Sequence, residues 1–480
     1  KSGPNIGQYI FTMKLYRDCD GVTLPSVAQT INVWEGATGP HPLVPTISLA
    51  FIGSNDISPN CNSINSGNVS FDCITNPIGA VEEYVYESAP IALPGSPPAD
   101  GWHFTWDQCC RNGAISNLVI SSPSNPAEGQ TLRAAMFPYT DPNTGLVLAA
   151  DPCFDSSPEF LESPKTFICT GVPFSFYNAS VDPDIDSVMY SWAEPLNDMQ
   201  FGQTYNPPFN PSSLQFVPPY WYGSPIPGGV IIDQLLGEIS ATPTLTGNFV
   251  YVVEVSAYKD GQLVSKTYRE NQLSLSSCPV LSNGAWNDPP DVTPYFNSPS
   301  SGWSTSVNTN GFSSYSVSVS AGSHIMFDIA AIDTNTYAGS TSQIITLDLD
   351  TSIFSYFSSS PPILIDNNTG ASIPISSPAI ISASFDWQIP VSTPAGQYTF
   401  LINISDDFCP VPASTTIPVT INVSDLLCSV SADIISSPAS SDTICDGFAF
   451  AGNLNGTAPF SFQWTDFSNT IVSTNDYIRY

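Results

Sequence analysis

Phe249-Val-Tyr-Val-Val-Glu-Val-Ser-Ala-Tyr258, followed by Asp260-Gly261 and the run from Leu263, decides the fold class. The first run reads as a strand, Asp260-Gly261 as a two-residue turn, and Leu263 onward as the returning strand. The same period-2 reading opens the chain. Tyr9, Phe11, Met13 and Leu15 share one face, and Ile10, Thr12, Lys14 and Tyr16 the other. Further on, Trp102, Phe104 and Trp106 alternate with His103, Thr105 and Asp107. The 45 prolines and 31 glycines are spread along all 480 residues, which leaves room for short strands and turns but little for helices. The chain is expected to be all-β, a tandem series of antiparallel β-sandwiches with a disulfide-rich first domain.

Composition narrows the function classes. Hydrophobic residues at 42% can build cores, so global disorder is not expected. The formal charge of −32 repels nucleic acid and anionic membrane, and neither is expected as a partner. No apolar run is long enough to insert in a membrane. The chain begins at Lys1 without Met, which suggests a processed or trimmed N-terminus.

A chain of this length needs several cores. Residues 1–165 read as a disulfide-rich β domain, and 166–277 and 278–424 as two β-sandwiches. Residues 425–480 read as the start of a further repeat, short of the usual sandwich length. The two middle domains share a pattern. Gly247-Asn-Phe-Val-Tyr-Val-Val-Glu-Val matches Gly396-Gln-Tyr-Thr-Phe-Leu-Ile-Asn-Ile, with Pro243 and Pro394 just upstream. An acidic loop precedes each at equal distance, since 247 − 184 = 63 and 396 − 333 = 63. Two copies of one sandwich would give this, and so would coincidence among many Gly/Pro-punctuated strands.

The 11 cysteines are Cys19, Cys61, Cys73, Cys109, Cys110, Cys153, Cys169, Cys278, Cys409, Cys428 and Cys445. None forms a CxxC pair and only three histidines exist, so zinc spacing is absent and disulfides in an oxidising compartment are expected. Cys61 and Cys73 flank a short Asn/Ser/Gly-rich stretch and are the favoured local pair. Adjacent Cys109 and Cys110, on a strand, would point to opposite sides, one to the core and one to a loop. The odd count leaves one thiol whose partner would lie in a continuation of the chain.

Two segments carry a resemblance. Tyr16-Arg-Asp-Cys-Asp-Gly-Val-Thr-Leu-Pro-Ser26 and Cys109-Cys-Arg-Asn-Gly-Ala-Ile-Ser-Asn-Leu118 resemble the paired "YRDC…CCRN" signatures of giant modular surface adhesins of gliding bacteria, exported by the type IX secretion system. Gly456-Thr-Ala-Pro-Phe-Ser-Phe-Gln-Trp464 is similar to the "GTAPYTYSW" core of repeats in those adhesins and of PKD-like modules. The middle domains resemble Ig-like or cadherin-like modules in their Asp-rich loop and Pro…Gly-aromatic strand. The resemblance implies bacterial surface display and a role in adhesion. Its partners would be an extracellular surface, a glycan or another surface protein, together with further modules of the same chain. A structural subunit of an extracellular filament and a secreted glycan-binding protein are the rival readings.

Candidate chemistry is sparse. Asp182, Asp184 and Asp186 alternate, so an extended segment would project them to one side as oxygen ligands for calcium. Calcium is the single cofactor the sequence suggests. The spacing is not an EF-hand, because Ser187 stands at the turn glycine and Ala193 at the bidentate glutamate. Asp233 or Asp260 could add donors. Asp328 with Asp333, and Asp406-Asp407, repeat the idea more weakly. A solvated acidic turn is the plainer reading of each.

No GxSxG or HExxH occurs, and Glu82-Glu83 on a strand would face opposite ways, so no enzyme is expected. Arg17 and Arg111 are expected to brace the signature cysteines, with Asp18 and Asp107 as partners. The aromatics Tyr205, Phe209, Phe216, Tyr220, Trp221 and Tyr222 crowd a Pro-rich loop. Tyr220, Trp221 and Tyr222 are the candidate glycan contacts, against packing under the loop. Ser187 and Thr443 fit the Asp-Ser/Thr-apolar pattern of bacterial O-glycosylation. Asn178 and Asn403 lie in Asn-x-Ser/Thr sites, relevant to a eukaryotic source.

Overall fold

The structure, a computed structural model, describes residues 7–36, 39–122, 124, 127–150, 154–184, 186–199, 204–207, 209–278, 281, 284, 286–295, 302–337, 340–350, 354, 360–424, 431–441, 446–455, 460–465 and 470–479. Among them the regular secondary structure is strand, apart from one short helix, α1 (Ser63–Ser66), with loops and turns between. The first module supplies β1 (Thr12–Asp18), β2 (Gln29–Glu35), β3 (Thr46–Asp56), β4 (Val81–Ser88), β5 (Trp102–Gln108) and β6 (Gln130–Met136). The alternation in the sequence is kept: Met13 and Leu15 of β1 and Trp102, Phe104 and Trp106 of β5 are buried in one core.

The second module supplies β7 (Phe167–Cys169), β8 (Phe174–Tyr177), β9 (Ser187–Ala193), β10 (Ile231–Ile232), β11 (Glu238–Ala241), β12 (Gly247–Lys259) and β13 (Gln262–Ser276). The third supplies β14 (Ser313–Ser320), β15 (His324–Ile332), β16 (Ile344–Leu349), β17 (Ile363–Asp366), β18 (Ile380–Gln388), β19 (Gly396–Ser405) and β20 (Ser414–Ser424). The two sets pair in the same way. One layer runs β9-β12-β13 with β7 parallel to β13, matched by β16-β19-β20 with β14 parallel to β20. The other runs β8-β11-β10, matched by β15-β18-β17. The repeat in the sequence is thus two copies of one Ig-like sandwich. Gly247 and Gly396 open β12 and β19. The Asp260-Gly261 turn joins β12 to β13 with φ of 49° and 75°, the positive values a tight two-residue hairpin requires.

The boundary at residue 165 does not separate two sheets. The chain's largest sheet has ten strands in the order β9-β12-β13-β6-β5-β2-β3-β4-β1, with β7 beside β13. The first and second modules join where Ser265–Thr267 of β13 pairs with Met136–Ala134 of β6. Alternation shows that a segment is a strand but not which strand lies beside it, so this merger has no local signal.

The CCRN segment completes the joint. Arg111, 7% exposed, pairs with Glu270 of β13 and donates to the carbonyls of Gly129 and Leu196. Asn117, fully buried, donates to the carbonyls of Pro225 and Val250 at 2.8 and 2.7 Å and accepts from the Val250 N–H at 2.9 Å. Breaking either would strand buried polar groups of both modules, at about 1–3 kcal/mol each.

Several expected pairs are corrected. Cys73 bonds Cys19, and Cys61 bonds Cys409, 348 residues away, so the favoured Cys61–Cys73 bridge is not formed. The cause is the docking of the Cys61 loop on the third module, where the Asn62 N–H donates to the Asp407 carbonyl at 2.7 Å. Cys109 and Cys110 bond each other, because β5 ends at Gln108 and strand alternation no longer applies. Cys169 and Cys278 close the foot of the second module. Cys153, Cys428 and Cys445 lie outside the described residues.

Arg17 pairs with Glu82 at 2.8 Å, its direct cross-strand partner on β4, and takes only the backbone carbonyl of Asp18. Arg111 takes Glu270 in place of Asp107. Glu82 and Glu83 do face opposite ways, the first to Arg17 and the second to Lys14 at 3.3 Å.

The Cys61–Cys409 staple also ties modules that are not neighbours in the chain. With the shared sheet, it makes the first three modules one joined body instead of a simple series. Beyond it, β21 (Ser431–Ser437), β22 (Phe448–Asn455) and β23 (Tyr477–Arg479) form a separate three-stranded sheet. The Gly456–Pro459 part of the repeat-like tail motif and Thr443 lie outside the described residues.

Candidate functional site

Each sandwich has an apex where its incoming linker, its loop after the second strand and its β12–β13 or β19–β20 turn meet. At the second module's apex the linker brings Asp155, the loop brings Asp182 and Asp186, and the turn brings Lys259. Carboxylate oxygens of Asp155, Asp182 and Asp186 all lie within 4.8 Å of one another. Oxygens that surround one calcium ion at 2.3–2.6 Å are separated by about 5 Å or less, so this set fits around a single ion.

Asp184, expected in the set, turns away. Its Oδ2 accepts from the Ser156 N–H at 2.5 Å and so holds the linker that carries Asp155. Asp182 shapes the loop, since its Oδ1 accepts from the Asp184 N–H at 2.8 Å and the Asp186 N–H at 3.4 Å. Asp233 and Asp260 do not join the set. Asp233 caps its own turn through Leu235 and Leu236, and Asp260 accepts from the Tyr139 hydroxyl at 2.6 Å.

The site is electrostatically unbalanced. Asp155 and Asp182 are 4% and 5% exposed, and each keeps one buried oxygen with no hydrogen-bond donor, Oδ1 and Oδ2 respectively. Lys259 reaches Asp186 at 3.5 Å and is the one cation in ion-pair range among the described residues. Burial pushes the Asp182 carboxyl up to about 7, with the charges of Asp186 and Asp184 adding to it. Burial likewise raises the Asp155 carboxyl, with the neighbouring Asp186, Asp182 and Asp184 adding to it. A hard cation would favour the ionised forms and fill the missing contacts.

Sequence reasoning found two of the three carboxylates. Asp155 lies in the linker, and only the fold brings it to the loop. Ser187 is exposed at the start of β9, with its hydroxyl on the Tyr258 carbonyl at 3.2 Å.

The aromatic group splits. Tyr205 is 2% exposed and packs on Trp34 and His103, and Tyr220 packs edge-on to Phe249 at 5.4 Å. Phe209, Trp221 and Tyr222 are 81%, 53% and 42% exposed, and Trp221 and Tyr222 lie edge to face at 5.0 Å, so these three are the part left open to a ligand. Of the weaker acidic pairs, Asp328 is engaged by the Ser384 hydroxyl, with their positions paired across β15 and β18.

No known family's sequence profile matches the chain, and no curated protein does. Among solved structures it is similar to the endo-fucoidan hydrolase MfFcnA4 of glycoside hydrolase family 107. That match has 13% identity and a TM-score of 0.16, over 84% of this chain and 43% of the other. It is also similar to zebrafish RET cadherin-like domains 1 to 4, with 8% identity and a TM-score of 0.16 over 59% of each chain. A third is the ICAM-5 D1–D4 ectodomain fragment, with 9% identity and a TM-score of 0.16 over 98% of each chain. The chain spans less than half of the fucoidan hydrolase. At TM-scores this low, none of these likenesses bears on what the chain does.

Proposed function

We propose that this chain is a segment of a large modular surface adhesin of the gliding-motility type, exported by the type IX system, and that calcium at Asp155, Asp182 and Asp186 locks its first module to its second. The observation that carries the reading is the joint itself. The YRDC and CCRN segments belong to a module that shares a sheet with one Ig-like sandwich and is disulfide-bonded to the next. Four disulfides fit an oxidising, extracellular setting. A body cross-linked in this way resists shear, and further modules of the same chain would add reach and avidity. Its partner would be an extracellular surface, a glycan or another surface protein.

Immunogold electron microscopy of intact producing cells, with an antibody to residues 1–165, tests the assignment. Gold on long surface projections is expected. Gold along a regular periodic fibre would replace the adhesin with a filament subunit, and label confined to the medium would replace it with a secreted binding protein.

The exposed Trp221–Tyr222 pair favours a glycan as ligand, because aromatic faces stack on sugar rings. Saturable binding to a polysaccharide, lost in Trp221→Ala/Tyr222→Ala, is the expected result. Unchanged binding by that variant removes the pair from the account.

A further inference from the structure

The ten-stranded sheet has an open seam. β1 is its last strand and pairs only with β4. The Ser88 N–H donates to the Phe11 carbonyl and the Cys19 N–H to the Ala80 carbonyl, both at 2.9 Å. Odd-numbered residues therefore bond β4, and Thr12, Lys14 and Tyr16 turn their N–H and C=O groups to the open side. Among the described residues nothing bonds them there. β13 is open as well, between its pairing with β6, which ends at Thr267, and its pairing with β7, which begins at Ser274.

A cleft of about 1240 Å³ is lined by residues 9–18 and by residues 267–272, each run without a break. Side chains of a strand alternate between its faces, so an unbroken run means that the strand's edge meets the cleft. Both signature segments reach it, through Tyr16, Arg17 and Asp18 and through residues 109–112.

Ser265, Thr267 and Arg269 share one face of β13 and all line the cleft. Ser265, 2% exposed, and Thr267 each keep a buried hydroxyl with no hydrogen-bond partner. Arg269, 9% exposed, lies over the Phe160 ring at 3.9 Å and donates through Nη2 to the Glu162 carbonyl at 2.7 Å. Among the described residues no carboxylate is in ion-pair range of it. The Glu162 carboxylate takes the Asn403 amide at 2.5 Å, and Lys14, Arg17 and Arg111 are spent on Glu83, Glu82 and Glu270. A buried guanidinium has donors to spare for a carboxylate, which it binds in bidentate fashion.

We propose that this cleft takes an extended peptide of a partner protein as a strand added to the free edge of β1, with a carboxylate side chain of the peptide on Arg269 and small polar side chains on Thr267 and Ser265. Main-chain hydrogen bonds to Thr12, Lys14 and Tyr16 would supply affinity, and the row on β13 would supply specificity. The spacings agree, because same-face side chains of an extended peptide recur every second residue, as Ser265, Thr267 and Arg269 do. A peptide also carries the alternating donors and acceptors that a bare strand edge presents, and a glycan does not. The site needs neither bound calcium nor the Trp221–Tyr222 pair.

Hydrogen exchange and calorimetry of the full chain with the peptide acetyl-Thr-Gln-Thr-Val-Asp-Val-Thr-Gln-amide test it. The peptide is expected to slow exchange of the Thr12, Lys14 and Tyr16 amides and to bind about tenfold or more tightly than its Asp-to-Asn counterpart. Arg269→Gln should abolish that preference. Unchanged exchange over residues 12–16 at millimolar peptide, or a preference that survives Arg269→Gln, overturns the proposal. Should Arg269→Gln fail to fold, Thr267→Val decides. It keeps the side chain's shape and removes a hydroxyl that bonds nothing in the free chain, so the melting temperature should hold while peptide affinity falls about two- to tenfold. Unchanged affinity there overturns the site. Binding of polygalacturonate but not of the peptide, lost in Arg269→Gln, would put an acidic glycan in the cleft and overturn the added strand.

Discussion

The two apices occupy one position in two copies of a fold, yet their carboxylates are satisfied by different means. At the second module's apex, three aspartates converge with Lys259 at 3.5 Å as their cation. At the third module's apex, Asn287, Tyr337, Asn62 and the Ile344, Phe408 and Ala413 N–H groups donate to Asp406 and Asp407. Burial still holds the Asp406 carboxyl up at about 8. The contrast is one of self-sufficiency. An apex supplied with amides and a disulfide keeps its shape without an ion, whereas an apex of bare carboxylates depends on one, so removing calcium should loosen the second module's apex first.

The largest expected effect breaks the wired apex. Cys61→Ser/Cys409→Ser opens a 348-residue loop, and long-loop bridges contribute on the order of 3–5 kcal/mol in the chain-entropy account. Chemical denaturation should show that loss, with calcium affinity at the second module's apex unchanged. A fall in that affinity would mean that the two apices are coupled.

Next is Asn287→Ala, which strips the donor from Asp406 Oδ2 and the partner from Gln343 Nε2. A loss of about 1–3 kcal/mol is expected from the stranded groups. Chemical denaturation should show that loss with calcium present or absent, and a change within about 0.5 kcal/mol would mean that the Asn287 amide is not what satisfies Asp406.

Smaller again is Lys259→Met. It removes a partly exposed ion pair and should cost the ion-free protein about 1 kcal/mol or less. Calcium affinity at the second module's apex should rise, because a competing positive charge is gone. Isothermal titration calorimetry reads both the sign and the size, and weaker binding would place the ion away from Asp186.

The smallest effect is at the exposed aromatic pair. Trp221→Ala/Tyr222→Ala should leave the melting temperature of both apices unchanged, since surface truncations stay within about 0.5 kcal/mol. A clear drop would show that the pair packs structure instead of meeting a ligand.

Local rules carried much of this fold. The Asp260-Gly261 turn, the buried alternation of β1 and β5 and the matched Gly247 and Gly396 strands were all legible, because each depends on residues a few positions apart. What depended on distant pairing was not. Glu82 is the cross-strand neighbour of Arg17, but only the β1–β4 register reveals it. Cys409 lies hundreds of residues from Cys61, and no spacing rule connects them. The same limit applied at the site, where Asp182 and Asp186 were visible as an alternating pair. Asp155 came from a linker, and Asp184 was spent on holding that linker at Ser156.

Differential scanning calorimetry of the EDTA-stripped chain, with and without added calcium, tests the central claim most directly. At calcium a hundred times its dissociation constant, binding to the folded state alone contributes about 2.7 kcal/mol. The account predicts a melting temperature that climbs with calcium concentration, and a climb largely absent in Asp155→Asn. A melting temperature indifferent to millimolar calcium, or a wild-type response in Asp155→Asn, would contradict it.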